Sequence, residues 1–121
     1  MTAEDKRTLL KLNRETFAAE EHDPEGGWVD VLHRSLSDDF RLRRAIGETE
    51  DRERMITRLS RTEPKHREIE GEEVAVLGDV ALVCCRVRLG EALFGNTKLF
   101  ERTADGWRCV YWRVSRKLDQ R

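Results

Sequence analysis

The 121-residue sequence has no excess of either charge, no long apolar run, no C-x-x-C pair and no metal-ligand spacing of histidines. Each absence excludes a class. Lys+Arg number 23 against 24 Asp+Glu, a formal net charge of −1. General nucleic-acid binders use an excess of positive charge to displace counterions, so no nucleic-acid partner is expected. No stretch approaches the ~18 apolar residues of a membrane span. Met1–Lys11 carries acidic residues early and has no continuous apolar segment, so it does not read as a secretory leader. The expectation is a cytoplasmic chain with no membrane partner. Cys84, Cys85 and Cys109 are an odd count. Cys84 and Cys85 are adjacent on a strand and point to opposite faces, so they cannot easily pair. They read as small buried hydrophobes rather than reactive thiols. His22, His33 and His66 are completed by no carboxylate pair, so neither a metal nor a cofactor is expected.

What the sequence does contain is organised around Glu72–Lys117. This stretch reads as β-strands in series: Val74–Val76 leading into Val80–Leu89, then Thr97–Arg102, then Trp107–Ser115. In Val80–Leu89 the odd positions stay apolar and face a core, while the even positions turn basic and face water. In the last strand Val110, Trp112 and Val114 are assigned to the core side, and Trp107, Tyr111 and Arg113 to the outer face. Leu77-Gly78-Asp79 and Ala104-Asp105-Gly106 are turns, and Gly90–Asn96 reads as a longer loop. Upstream, Arg67, Ile69, Gly71 and Glu73 share one face of a possible long strand.

Three helices precede the strands. Thr2 caps the first, whose apolar residues Leu9, Leu10, Leu12 and Phe17 carry it to about Glu21. Asp23-Pro24-Glu25-Gly26-Gly27 breaks it. Trp28, Val31, Leu32 and Leu36 form one face of the second. Ser37-Asp38-Asp39 reads as a turn, Phe40–Ile46 as a short strand ending at Gly47, and Thr49 as the cap of a third helix bearing Met55, Ile56 and Leu59. Pro64 closes the helical half. At this length one core is expected, in a single domain spanning residues 1–121. Helices followed by strands make an α+β pattern. The aromatic outer face left over predicts a homodimer through the sheet.

The order helix, helix, short strand, helix, long antiparallel strands resembles the nuclear transport factor 2-like superfamily, and within it a SnoaL-like group of small bacterial proteins of unknown function. The residues that carry the resemblance are Leu36-Ser37-Asp38-Asp39-Phe40, Arg43-Arg44-Ala45 with Gly47, Val76–Val83, and Asp105-Gly106-Trp107-Arg108 followed by Trp112. The resemblance covers nearly the whole chain. The resemblance implies a cone: a curved antiparallel sheet packed on three N-terminal helices, with a pocket between them. The superfamily includes ketosteroid isomerases, SnoaL-type polyketide cyclases, epoxide hydrolases and kinase association domains, so the fold alone selects no activity. The isomerases' general-base aspartate falls on Arg44, their helix-1 tyrosine near Phe17, and their penultimate-strand acid near Lys98. A guanidinium takes no proton at neutral pH, which argues against that reaction. The Asp-Arg-Asp arrangement of the epoxide hydrolases is missing as well.

What remains is a pocket. Arg44 shares strand parity with Phe40 and Leu42, and can hold the carboxylate or phosphate of a small ligand. The competing reading is an internal ion pair with Glu15 or Glu20. Phe17, Phe40 and Trp112 complete the candidate ligand-binding set as apolar walls, and plain core explains them equally well. The functional reading is a small-molecule-binding protein for a small acidic or aromatic ligand. The alternatives are a non-catalytic homodimerisation module, and an isomerase, cyclase or lyase whose base is Asp38, Asp39 or His66; no catalytic residue is assigned.

Overall fold

The computed structural model describes residues 2–21 and 27–117. Three helices, α1 (Ala3–Glu20), α2 (Trp28–Ser35) and α3 (Arg52–Ser60), lie against a six-stranded sheet. Its strands are β1 (Leu36–Arg43), β2 (Thr49–Asp51), β3 (Glu68–Leu77), β4 (Val80–Leu89), β5 (Ala92–Thr103) and β6 (Gly106–Lys117), in the order β2-β1-β6-β5-β4-β3. All neighbours are antiparallel except β1 and β6, which run parallel, so the sheet is mixed rather than purely antiparallel. The architecture is an α+β cone.

Alternation and capping explain most of the elements. The Thr2 hydroxyl accepts the Asp5 N–H at 3.0 Å, closing the first turn of α1. Ala81, Val83, Cys85 and Val87 are buried on one face of β4, while Val80, Leu82 and Arg86 are exposed on the other. The core joins these residues to Leu9, Phe17, Leu32, Met55 and Leu59 of the helices. The predicted break at Asp23-Pro24-Glu25-Gly26 lies outside the described residues.

Several expectations are corrected. Ser37-Asp38-Asp39 is strand rather than turn, and Leu36 opens β1 instead of closing α2. The β1–β6 register jumps between Leu36 and Arg41, so this stretch has an irregular edge that mimics a turn. The strand ends at Arg43, not Gly47. Thr49 begins β2, and Asp51 is the true cap of α3, its Oδ1 accepting the Arg54 N–H at 2.8 Å. Gly90–Asn96 is no loop: Leu89 pairs with Ala92, leaving a two-residue turn at Gly90-Glu91, and β5 runs through the rest.

Two further corrections come from bulges, which exchange the faces of a strand. In β6 the register shifts opposite Leu99/Phe100, with Leu99 beside Tyr111 and Phe100 beside Cys109. Val110 is the extra residue. Trp107 and Cys109 therefore face inward together with Trp112, and Trp107 is 6% exposed rather than on the outer face. Its indole N–H donates to Asp5 at 3.4 Å, and Arg102 stacks on its ring at 4.3 Å. In β3 the register shifts between Glu70 and Glu73, at Gly71 with φ +66°. Ile69 turns inward before the bulge; Glu72, Val74 and Val76 turn inward after it, and Glu73 does not share the Ile69 face.

A side chain at position 71 would sit in the left-handed region, and its Cβ would meet the Arg86 guanidinium at 2.5 Å. That guanidinium belongs to a half-exposed side chain and can move, so the backbone term dominates. Gly71→Ala is expected to lower unfolding stability by ~1–2 kcal/mol and Gly71→Asn by less, read from urea titrations. An unchanged midpoint for the alanine variant would show that this conformation does not hold the bulge.

Candidate functional site

One inward row of side chains crosses the entire sheet. Val74, Val83, Lys98, Trp112, Leu42 and Glu50 stand side by side on β3, β4, β5, β6, β1 and β2. Lys98, at its centre, is fully buried. Its ammonium donates to Thr16 Oγ1 at 2.6 Å, Asn13 Oδ1 at 2.9 Å and the Asn13 carbonyl at 3.2 Å. It also lies over the rings of Phe17, at 3.5 Å from the centroid, and Trp112, at 4.0 Å. All three protons are thus satisfied by α1, and two aromatic faces supply negative potential. No salt bridge reaches Lys98 among the described residues. Burial pulls its pKa down to about 8, against the opposing influence of Cys109, Glu20, Cys85 and Glu72. The same burial pushes the Cys109 thiol up to about 12 and also raises Cys85.

Beside this row, between α1, α3 and the far ends of β4, β5 and β6, lies a cavity of about 220 Å³. Phe17, Leu42, Val87, Leu89, Phe94 and Val114 form apolar walls; Asn96, Glu20, Arg44, Arg58 and Arg67 are the polar groups. Three guanidiniums thus converge with one carboxylate. Arg58 is committed to the buried Glu50, with Nε contacts of 2.8 and 3.0 Å. Arg67 lies 3.5 Å from Glu20, and both side chains are largely buried. Arg44 sits just past β1, one-third exposed, and among the described residues its one ion pair is to exposed Glu48 at 3.6 Å. Neither Glu15 nor Glu20 is its partner. Burial pushes the Glu20 carboxyl above the ordinary range; Arg67, Lys98 and Arg58 offset this only in part.

The predicted site residues separate. Arg44 and Phe17 line the cavity. Phe40 and Trp112 do not; both are fully buried. Trp112 still acts on the site from behind, because its indole N–H donates to Asn96 Oδ1 at 2.7 Å and so orients a wall residue. Glu20, Arg58 and Arg67 escaped sequence reasoning as cavity residues. The signal for Lys98 and its partners was present: Asn13 and Thr16 interrupt the apolar stripe of α1 at the spacing of Leu9 and Phe17, and Lys98 interrupts the inward face of β5. Asp38 carries an exposed salt bridge to Arg52 at 3.1 Å, and His66 is exposed beside Glu21. Among the described residues no cluster of three His, Cys, Asp or Glu could hold a metal, and no helix is long and apolar enough to cross a membrane.

No protein-family model matches the chain, and no curated protein does either. Solved structures match along nearly its full length. A nuclear transport factor 2-like protein from Cytophaga hutchinsonii superposes with a TM-score of 0.82 at 14% identity, covering 97% of this chain and 100% of its own. One of unknown function from Pseudomonas putida gives 0.80 at 17% identity, covering 99% and 92%. A CaMKII hub from S. rosetta gives 0.74 at 16% identity, covering 92% and 95%. What these proteins share with this chain is the fold.

The Lys98 environment predicts a pH signature. The folded chain holds this proton with a pKa of about 8, against 10.5 for an ordinary lysine. Between those values the unfolded chain binds more protons, so stability rises with pH, by up to ~3 kcal/mol from this group. The buried thiols act in the opposite direction above their ordinary 9.0, so the comparison is with Lys98→Met. The stability of wild type relative to the variant is expected to rise from about pH 7.5 to about pH 9.5. A constant gap in chemical denaturation would show that Lys98 does not titrate there.

Proposed function

We propose that this chain, which has the nuclear transport factor 2-like fold, binds a small organic acid in the cavity beside Phe17. The observation that supports the reading is the convergence of Arg44, Arg58 and Arg67 on an otherwise apolar hollow. Charged groups at one end and aromatic and branched walls at the other suit an amphipathic monocarboxylate. Arg44 is the recruiting group. Its partner Glu48 is well solvated, so exchanging that pair for a ligand carboxylate costs little. Arg58 stays with Glu50 and supplies field rather than contact. The unfilled volume suits a ligand of about one aromatic ring plus a short acid arm. Binding, rather than any particular turnover, is what the site residues support.

Benzoate, phenylacetate and 4-methylpentanoate are suitable probes, since a ligand of the folded state raises Tm by mass action. At least one is expected to do so. Arg44→Met is expected to weaken that binding roughly tenfold to a hundredfold, the worth of a charge-assisted hydrogen-bonded pair. No shift with any of the three would overturn the reading.

A second reading, association of two copies through the outer sheet face, has its own support. Leu82, Leu99 and Tyr111 form one cross-strand row on that face. Three of the four large exposed hydrophobics among the described residues, Leu77, Val80 and Leu82, lie on it at 81%, 38% and 42% exposure. Charged residues such as Arg86 and Arg113 border the row, as at a protein interface with an apolar centre. Trp107, being internal, plays no part. Leu82→Glu combined with Tyr111→Glu should give monomers in sedimentation, where the parent chain sediments as a dimer. A parent chain that is monomeric at micromolar concentration removes this reading.

A further inference from the structure

The proposed organic-acid site contains a feature that simple anion binding does not use. Glu20, at the last turn of α1, lines the cavity with only 11% of its side chain exposed. Among the described residues its carboxylate accepts no hydrogen bond, and its one ion pair, to Arg67, is long at 3.5 Å. A buried carboxylate normally accepts several hydrogen bonds, and one with so few is poorly compensated for its burial. Arg67 is itself held at the other side of its guanidinium by the Lys65 carbonyl at 2.9 Å.

Glu20 lines the same hollow as the arginines, so an anion held there brings a second negative charge toward its carboxyl, and like charges disfavour each other. The charged groups facing Glu20 are Arg67 ahead of β3, Arg58 on α3, Lys98 on β5 and Glu21, the C-cap of α1. Two of the three cations are already engaged, Arg58 with Glu50 and Lys98 with Asn13 and Thr16. Of the cations facing Glu20, Arg67 is the one that can serve either it or an acid recruited by Arg44.

Resting on the organic-acid reading, we infer that an anionic ligand enters this cavity together with one proton, which Glu20 takes up. The Glu20 carboxylate receives a proton from solvent and becomes a neutral acid. Its O–H then donates to the ligand carboxylate, and Arg67 is released to pair with the ligand. No bond of the ligand is broken. The site therefore selects acids that can accept a hydrogen bond from a carboxylic acid, and it holds them more tightly as pH falls.

The test is calorimetric titration of the full chain with phenylacetate in phosphate and in Tris, whose ionisation enthalpies differ, at matched pH values between about 5.5 and about 8. The expected result is a buffer-dependent apparent enthalpy that reports uptake approaching one proton. Affinity should weaken by up to about tenfold per pH unit on the alkaline side of the Glu20 transition. In Glu20→Gln the uptake should vanish and the affinity become flat with pH. Binding with no proton uptake in the parent chain overturns this inference and leaves the organic-acid site standing. Uptake that persists in the glutamine variant places the proton elsewhere and also overturns it. No binding of phenylacetate or of the other two acids removes the site itself.

Discussion

A single ammonium group ties the helical layer to the sheet. Lys98 stands in the middle of β5, in the central row of the inner face, and gives all three of its protons to two residues of α1. An unpartnered charge at that depth would cost several kcal/mol, so Asn13 and Thr16 must lie over it, which fixes the position of α1 along its own axis. Other contacts then follow along the helix. Asp5 reaches Arg102 and Trp107 near its start. Arg14 and Asn13 reach Glu72, whose burial is outweighed by those hydrogen bonds so that its carboxyl stays below the ordinary range. Glu20 reaches Arg67 at the end.

The cavity follows from the same placement. The sheet extends beyond the C-terminal turn of α1, and there the inner faces of β4, β5 and β6 have side chains but little helix above them. Core packing fills the narrow part, where Phe17 meets Trp112 edge-on at 5.3 Å. Past Phe17 the walls remain apolar while the rim is built from long cationic side chains. Arginine suits that rim because its stem covers apolar surface while its head stays near water. The same residue that cushions Lys98 on one side, Phe17, is a wall of the cavity on the other. Phe17 is thus the shared wall between the hollow and the buried cation.

Much of this was legible from the sequence. Strict alternation in Val80–Leu89 gave the inner and outer faces of β4 without error, and the apolar spacing of α3 gave Met55 and Leu59. The order of elements carried the fold. What could not be read was anything downstream of a bulge. Trp107 and Trp112 differ by an odd number of positions, so plain alternation puts them on opposite faces, and only the extra residue at Val110 brings both inside. The cavity was harder still. Arg44 was visible because the sequence alternation ran on through it, although β1 ends one residue earlier, whereas Glu20, Arg58 and Arg67 come from two helices and an irregular segment. Their convergence depends on where α1 stops relative to β3, which no local pattern encodes. Lys98 was visible as a residue but not as a partner of Asn13, since 85 positions separate them.

The bulge at Gly71 makes β3 change sides partway along. Its first half lies near the rim, close to Arg67, and its second half docks α1 through Glu72. The two halves are thus in opposite phase, joined by one uncounted residue. Removing a single residue there would put the strand back in one phase, turning either Ile69 or Glu72 outward. Losing or gaining a pair would preserve the phase of both. Length variation in this strand is therefore tolerable in even steps and disruptive in odd ones, although the strand lies at the sheet edge, where insertions and deletions would otherwise be least harmful.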